Sequence, residues 1–174
     1  MIAYKDSKMT ISIIVAVDEG NGIGKDGGIP WFFSEDMKFF ARTTKGGTCI
    51  MGRKTYESMV GRVGNEEALL KGRQSIVVTR NRAIVPVGAE SVSSLSEAIE
   101  TASRDDVFII GGASIYTDAL AVADRVYITR VPGNFNCDVN VGIMMNLIER
   151  FCRKEASSTS EAGLTYECYV QDDT

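Results

Sequence analysis

Histidine is missing from the chain altogether. That one absence removes Ser-His-Asp and Cys-His catalysis, and histidine-ligated zinc, from consideration. Proline is scarce, and nothing approaches the ~20 consecutive apolar residues of a membrane-spanning helix. The four cysteines, Cys49, Cys137, Cys152 and Cys168, form no C-x-x-C pair. A disulfide framework and a metal knuckle are therefore poor readings, no metal is expected, and a reducing cytoplasm is the expected location. Charge of one sign is lacking too: 19 basic and 23 acidic residues give a net charge of −4 with no dense basic run. A nucleic-acid or membrane surface is not expected, although local basic spots can still hold a small anion.

What is present is the composition of a globular protein, 44% hydrophobic and 24% charged over 174 residues, a length that suits one domain. Lys5 and Lys8 followed by the apolar run Ile11 to Val17 mimic a short signal peptide. No small-x-small cleavage site follows, and a buried strand explains the run better. Further strands are expected at Thr48–Met51, Ser75–Thr79, Val107–Ile110 and Arg125–Thr129. Helices are expected over 34–43 with Ser34 as N-cap, from near Lys54, from the Ser94/Glu97 capping box to about Thr101, and over Ser114–Leu120. Residues 18–30 read as a glycine-rich loop and residues 61–73 as a loop with a helical turn around Glu66 to Leu70. The tail reads as two strands, Phe151–Glu155 and Leu164–Val170, joined by a polar turn at Ser157 to Gly163. Alternation of short strands and helices predicts an α/β fold: a mixed, mainly parallel central sheet with an antiparallel C-terminal edge, flanked by helices.

Gly22-Ile-Gly24-Lys-Asp-Gly27 spells G-x-G-x-x-G, but Pro30 follows where a dinucleotide fingerprint needs a helix. These glycines read as a mobile loop beside a site. Better phosphate candidates are two strand-to-helix turns, Gly52-Arg53-Lys54-Thr55 and Gly111-Gly112-Ala113-Ser114. Parallel strands would bring both to one carboxyl edge, where open α/β sheets bind ligands, although any α/β chain needs glycine at such turns. Arg53 and Lys54 add cationic charge where a 2′-phosphate would sit, and Arg80-Asn81-Arg82 lies past the next strand.

Asp36 is the sharpest single residue. It falls on the border of the apolar stripe Met37, Phe40, Ala41 and Thr44 of its helix, whereas Glu35 points nearly opposite, beside Lys38 and Arg42. Complementing the helix dipole is reason enough for Glu35. A half-buried Asp36 also wants donors, which a ligand with adjacent N–H groups would supply. Burial raises its pKa and the helix dipole lowers it, so the net direction is open. Of the aromatic cluster Trp31, Phe32, Phe33, Phe39 and Phe40, at least three are expected in packing, with one or two against a flat heterocycle.

Val15-Ala16-Val17, Gly22-Ile23-Gly24, Ile29-Pro30-Trp31 with Asp36 five residues on, Met51 to Ser58, Ile110 to Tyr116 and Tyr127-Ile-Thr129, in this order and spacing, resemble dihydrofolate reductase over about Ile11 to Val170. The resemblance implies reduction of 7,8-dihydrofolate to tetrahydrofolate, with NADPH as cofactor delivering a hydride to C6 while N5 takes a proton. It implies that Asp36 is the one ionisable side chain in the pterin pocket, backed by Thr129, with carbonyls of Ile14 and Ile110 facing the ring and Phe40 and Met59 as walls. Arg73 matches the arginine that grips the substrate's glutamate carboxylate. Ala16 and Ile23 match the holders of the nicotinamide carboxamide, and the stretch from Gly24 to Ile29 matches a closing loop. Gly52, Arg53, Lys54, Thr55 and Arg80 match the phosphate region, with Gly111, Gly112, Ala113, Ser114 and Ile115 as the second turn; Gly111-Gly112 matches a cis peptide.

The departures are Phe33-Ser34 in place of Leu-Pro, and a stretch from Gly61 to Lys71 that lacks proline and carries Glu66 to Leu70 as an insertion before Arg73. Residues 1–8 precede the family's usual start and are expected to be a loose arm, with a single domain over 9–174. The chain is expected to be a monomer. Two alternatives are another reductase of this fold acting on a riboflavin precursor, and a pterin- or nucleotide-binding protein without activity. The Arg73 clamp argues against the first and an intact Asp36 against the second.

Overall fold

The apolar run near the N-terminus becomes β1 (Thr10–Val17), buried along both faces as a central parallel strand must be. The structure, a computed structural model, describes residues 8–63, 70–81, 83 and 88–171. After β1 the order is β2 (Gly22–Gly24), α1 (Ser34–Thr43), β3 (Thr48–Gly52), α2 (Arg53–Val63), β4 (Gln74–Val78), β5 (Glu90–Val92), α3 (Leu95–Thr101), β6 (Asp106–Ile109), α4 (Ala113–Ala119), β7 (Arg125–Arg130), β8 (Val139–Asn140), α5 (Gly142–Phe151), β9 (Cys152–Thr159) and β10 (Thr165–Gln171). Eight strands form one sheet in the order β5-β4-β3-β6-β1-β7-β10-β9. The first six run parallel and β10 pairs antiparallel to both β7 and β9.

Alternate residues of the strands build two cores. Ile13, Val15, Ile50, Ile76, Ile109, Val126 and Ile128 face α3, α4 and α5. Ile14, Cys49, Met51, Val77, Phe108 and Ile110 face the other way, against Phe39 and Phe40 of α1 and Tyr56 and Met59 of α2. Each fully buried aliphatic side chain contributes about 1.5–3 kcal/mol over its exposed state. Among the described residues the four cysteines form no disulfide. Among the described residues no helix is long and apolar enough to cross a membrane.

The structure amends the sequence reading in several places. Ser34 is the first helical residue and not the cap; extended Phe33, whose ring packs on the cluster of Trp31, Val131 and Leu164 and carries no acceptor, precedes α1 without a side-chain cap. Ser94 does accept the Glu97 N–H at 3.1 Å, but the Glu97 carboxylate turns to the N–H and hydroxyl of Ser93. Residues 61–63 end α2 instead of opening a loop. The first tail strand begins at Cys152, because Phe151 closes α5, and it continues to Thr159, leaving only Ser160 to Gly163 for the turn. Strand β2 lies inside what reads as glycine-rich loop and pairs with β8, and β5, β8 and α5 are further elements. The helical turn expected around Glu66 to Leu70, apart from Leu70 itself, lies outside the described residues, as do Arg82 and residues 1–7 of the arm.

Candidate active site

Parallel β3 and β6 are neighbours, so the two glycine turns after them meet at one edge of the sheet. They are bonded to each other: the Gly52 N–H donates to the Gly111 carbonyl at 2.8 Å, and the Gly111–Gly112 peptide is cis. Gly111 has φ 133°, and a Cβ there would stand 3.0 Å from the Thr55 hydroxyl oxygen. A Cβ on Gly52 would stand 3.2 Å from the Ile115 side chain. The edge is thus lined by backbone, with the N-terminus of α2 opening onto it and Arg53 and Lys54 in the first helical turn. Arg53 is paired with Glu57 at 2.8 Å. β4 is parallel to β3, so exposed Arg80, just past its end, emerges at the same edge. Ala113, Ser114 and Ile115 open α4, with Ile115 buried in the core.

On the α1 side, the Thr129 hydroxyl, 2% exposed, donates to Asp36 Oδ1 at 2.8 Å. Asp36 is half-buried. Burial pushes its carboxyl above the usual carboxylate value, the Thr129 bond pulls it down, and the neighbouring Glu35 charge adds to burial. The direction left open by the sequence is therefore upward. Ile14, Ile110, Phe40 and Met59 gather in the core cluster on this face of the sheet. The Ile14 carbonyl already accepts the buried Tyr116 hydroxyl at 2.8 Å, which leaves one lone pair for a ligand. Ala16 sits opposite Thr129 in the β1–β7 register. Of the five aromatics Trp31 is buried, Phe33, Phe39 and Phe40 are partly buried, and Phe32 is 74% exposed.

The loop carrying Ile23 and Gly24 hangs on two carboxylates that sequence reading does not single out. Asp18, 3% exposed, accepts the N–H groups of Gly20 at 2.9 Å and Gly22 at 2.8 Å through Oδ1, and that of Phe135 at 2.9 Å through Oδ2. Burial alone would raise its carboxyl; the backbone donors outweigh it and hold it below the usual value. Asp138 takes the Asp26 N–H at 2.9 Å, while its own N–H meets the Gly24 carbonyl at 3.0 Å. Ile23 packs into the core behind. The Asp-Glu-Gly spacing after β1 was the available signal for Asp18, since short acidic side chains close turns on N–H groups two or more residues on; nothing comparable marks Asp138.

A depressed carboxyl stabilises the fold above its unfolded pKa, and that contribution is lost as pH falls through the folded value. Asp18→Asn is accordingly expected to lower the unfolding free energy at neutral pH by about 2–3 kcal/mol, the worth of bonds to a charged acceptor. In denaturant titrations the gap to the parent should close in acid; a gap of constant size would refute the charged-acceptor role.

Arg73, reached through the turn Leu70–Arg73, closes the far end of α1. Its Nε donates to the Thr44 hydroxyl at 2.9 Å, Nη2 to the Ala41 carbonyl at 2.7 Å and Nη1 to the Lys71 carbonyl at 3.0 Å. An end-on carboxylate needs one further N–H from each terminal nitrogen, and each has two. Thr44 also bonds the Phe40 carbonyl at 2.8 Å and so links Arg73 to the last turn of α1. Among the described residues there is no group of three or more potential metal ligands.

Comparison with known proteins gives one consistent result. The family model described as "Dihydrofolate reductase" matches residues 10–170. A dihydrofolate reductase of Bacillus subtilis (strain 168) is 40% identical over 129 residues, covering 74% of this chain and 73% of the relative. A type 3 dihydrofolate reductase of Salmonella typhimurium is 38% identical over 133 residues, covering 76% of this chain and 78% of the relative. Among solved structures, a dihydrofolate reductase from Enterococcus faecalis complexed with NADP(H) and RAB-propyl matches with TM-score 0.79 and 27% identity, over 94% of this chain and 97% of that one.

Proposed function

The chain belongs to the dihydrofolate reductase family, and from that premise we propose how its own residues divide the work of reducing dihydrofolate with NADPH. NADPH, when bound, supplies the hydride that goes to C6. The backbone-lined edge suits its pyrophosphate, since Gly111 and Gly52 keep the approach clear of side chains. Arg53, Lys54 and Arg80 meet the 2′-phosphate, and Thr55, Ala113, Ser114 and Ile115 border the same cradle. Ala16 and Ile23 hold the carboxamide through their backbones, while the loop from Gly24 to Ile29, anchored by Asp18 and Asp138, excludes water.

The observation that carries the reading is the half-buried Asp36 held at 2.8 Å by Thr129. Its carboxylate accepts the 2-amino and ring N–H groups of the pterin, so the ring is fixed by a paired contact. Negative charge at that end of the ring raises the basicity of N5, which takes its proton from water. The carbonyls of Ile14 and Ile110 face the ring, Phe40 and Met59 wall it, and Arg73 grips the glutamate carboxylate. A riboflavin precursor, which bears a ribosyl group, would have no use for the Arg73 clamp. The cytoplasm is the compartment proposed for this chemistry, and the reaction needs no second subunit.

The direct test follows NADPH consumption with dihydrofolate in the parent and in Asp36→Asn; equal rates would remove Asp36 from the mechanism. A second measurement concerns the cofactor. Neutralising Arg53 and Lys54 together is expected to lower the preference for NADPH over NADH by about 10–100-fold, the equivalent of one charge-assisted contact of about 1.5–3 kcal/mol. An unchanged ratio of kcat/KM for the two cofactors would move the 2′-phosphate elsewhere.

A further inference from the structure

Dipole complementation was the reason read from the sequence for Glu35, yet Glu35 is half-buried too and has a partner of its own. The Tyr166 hydroxyl donates to Glu35 Oε1 at 3.3 Å. Tyr166 on β10 stands directly opposite Thr129 on β7, so both side chains leave the same face of the sheet. Thr129 takes Asp36 and Tyr166 takes Glu35. Two cross-strand neighbours thus grip two consecutive carboxylates in the first turn of α1. The Tyr166 ring is itself held by Phe39, 4.5 Å away between centroids. Behind the helix, Glu35 opens into a depression shared with Phe39, Arg42, Ser158, Thr159, Ser160 and Tyr166.

This inference rests on the assignment of Asp36 as the acid that holds the pterin. We propose that Glu35 and Tyr166 are positioning residues of that site: Tyr166 fixes the Glu35 carboxylate one residue from Asp36, and the adjacent negative charge sets how readily Asp36 takes a proton, and so the pH range of turnover. Like charges in one site disfavour ionisation of both. Tyr166 stands within reach of both charges: burial and then the charges of Asp36 and Glu35 push its phenol up to about 12. Other ionisable groups are placed differently. On α1, Lys38 is exposed and Arg42 faces Tyr166 from further along the helix. Tyr56 of α2 is buried in the core cluster. Tyr127 of β7 packs its ring on Phe39, and beyond it Arg125 is paired with Glu155 of β9 beside Cys168. Arg130, Glu149, Lys154, Glu167 and Tyr169 form a network on the opposite face. β1 and the residue just past β6 contribute apolar Ile14 and Ile110 beside the site. Glu35 is therefore the acid that Asp36 responds to.

The test titrates the Asp36 side-chain carboxyl carbon by NMR and, in parallel, records kcat/KM for dihydrofolate against pH, in the parent, Glu35→Gln, Tyr166→Phe and the double variant. Glu35→Gln is expected to move the Asp36 midpoint to lower pH, by an amount that shrinks with added salt, and to move the pH profile of kcat/KM the same way. Tyr166→Phe is expected to shift the midpoint in the parent background and not in Glu35→Gln. A midpoint unchanged by Glu35→Gln, an equal Tyr166→Phe shift in both backgrounds, or a moved midpoint with an unmoved rate profile would each overturn the proposal. The carboxyl titration needs no substrate, so it judges the pair even if Asp36→Asn retains full turnover and the reading of the active site falls.

Discussion

Asp36→Asn is expected to lose about 10²- to 10³-fold in kcat/KM for dihydrofolate at neutral pH, the usual cost of removing one preorganised electrostatic contact. The amide keeps the size and one acceptor, but it brings donors to where the pterin also presents donors, and it lacks the charge that favours protonation at N5. Activity should recover partly at lower pH, where the substrate arrives already protonated. Stability should move the other way. The folded carboxyl of Asp36 is raised above its ordinary value; its contribution to stability is full below the unfolded pKa and is lost as pH rises through the folded one. At neutral pH the parent therefore carries a carboxylate the fold disfavours, and the asparagine variant should be at least as stable. Thermal melts at acid and neutral pH, set beside the rates, test both halves. A variant that is both inactive and markedly less stable at neutral pH would point to a collapsed site instead.

Arg73→Lys should raise KM for dihydrofolate about 10–100-fold, as expected for losing a charge-assisted contact of 1.5–3 kcal/mol. Lysine keeps the charge but is a single point without the planar fork. It cannot hold the Thr44 hydroxyl and the Ala41 carbonyl, as Arg73 does, and engage a carboxylate with two parallel bonds as well. The comparison that isolates the clamp is a reduced pterin without the glutamate tail, for which KM should hardly change. An equal rise for both substrates would mean that Arg73 acts only by fastening the end of α1.

The apolar runs at Ile11 and Thr48 and the glycine punctuation at Gly52 and Gly111 made the parallel sheet and the meeting of its two glycine turns at one edge legible, because burial and backbone approach leave marks in residue type. The pairing of Thr129 with Asp36 entered through family resemblance. Other features were not legible. Helix α5 has Met144, Met145 and Ile148 all buried, but it follows a stretch of Gly, Asn and Asp that masks its start. Strand β5 is three residues long and defined by its neighbour β4. The Glu35–Tyr166 contact depends on which strands meet, a property of the β7–β10 register that no local pattern encodes. Asp138 escapes notice for the same reason, since its partners are Gly24 and Asp26.

The position of β1 between β6 and β7 has a consequence for biosynthesis. The Ile11 N–H finds its acceptor on Asp124, 113 residues further along, and both flanking strands of β1 are translated after α3. A nascent chain that has emerged only through α3 can zip β3, β4 and β5 together, yet it holds an apolar β1 with neither neighbour and a β3 edge awaiting β6. Such long-range closure is slow compared with local pairing and leaves strand edges exposed meanwhile. Ribosome stalling or truncation before residue 106 should therefore yield aggregating, chaperone-bound fragments, and the acid on α1 meets Thr129 only after β7 has emerged.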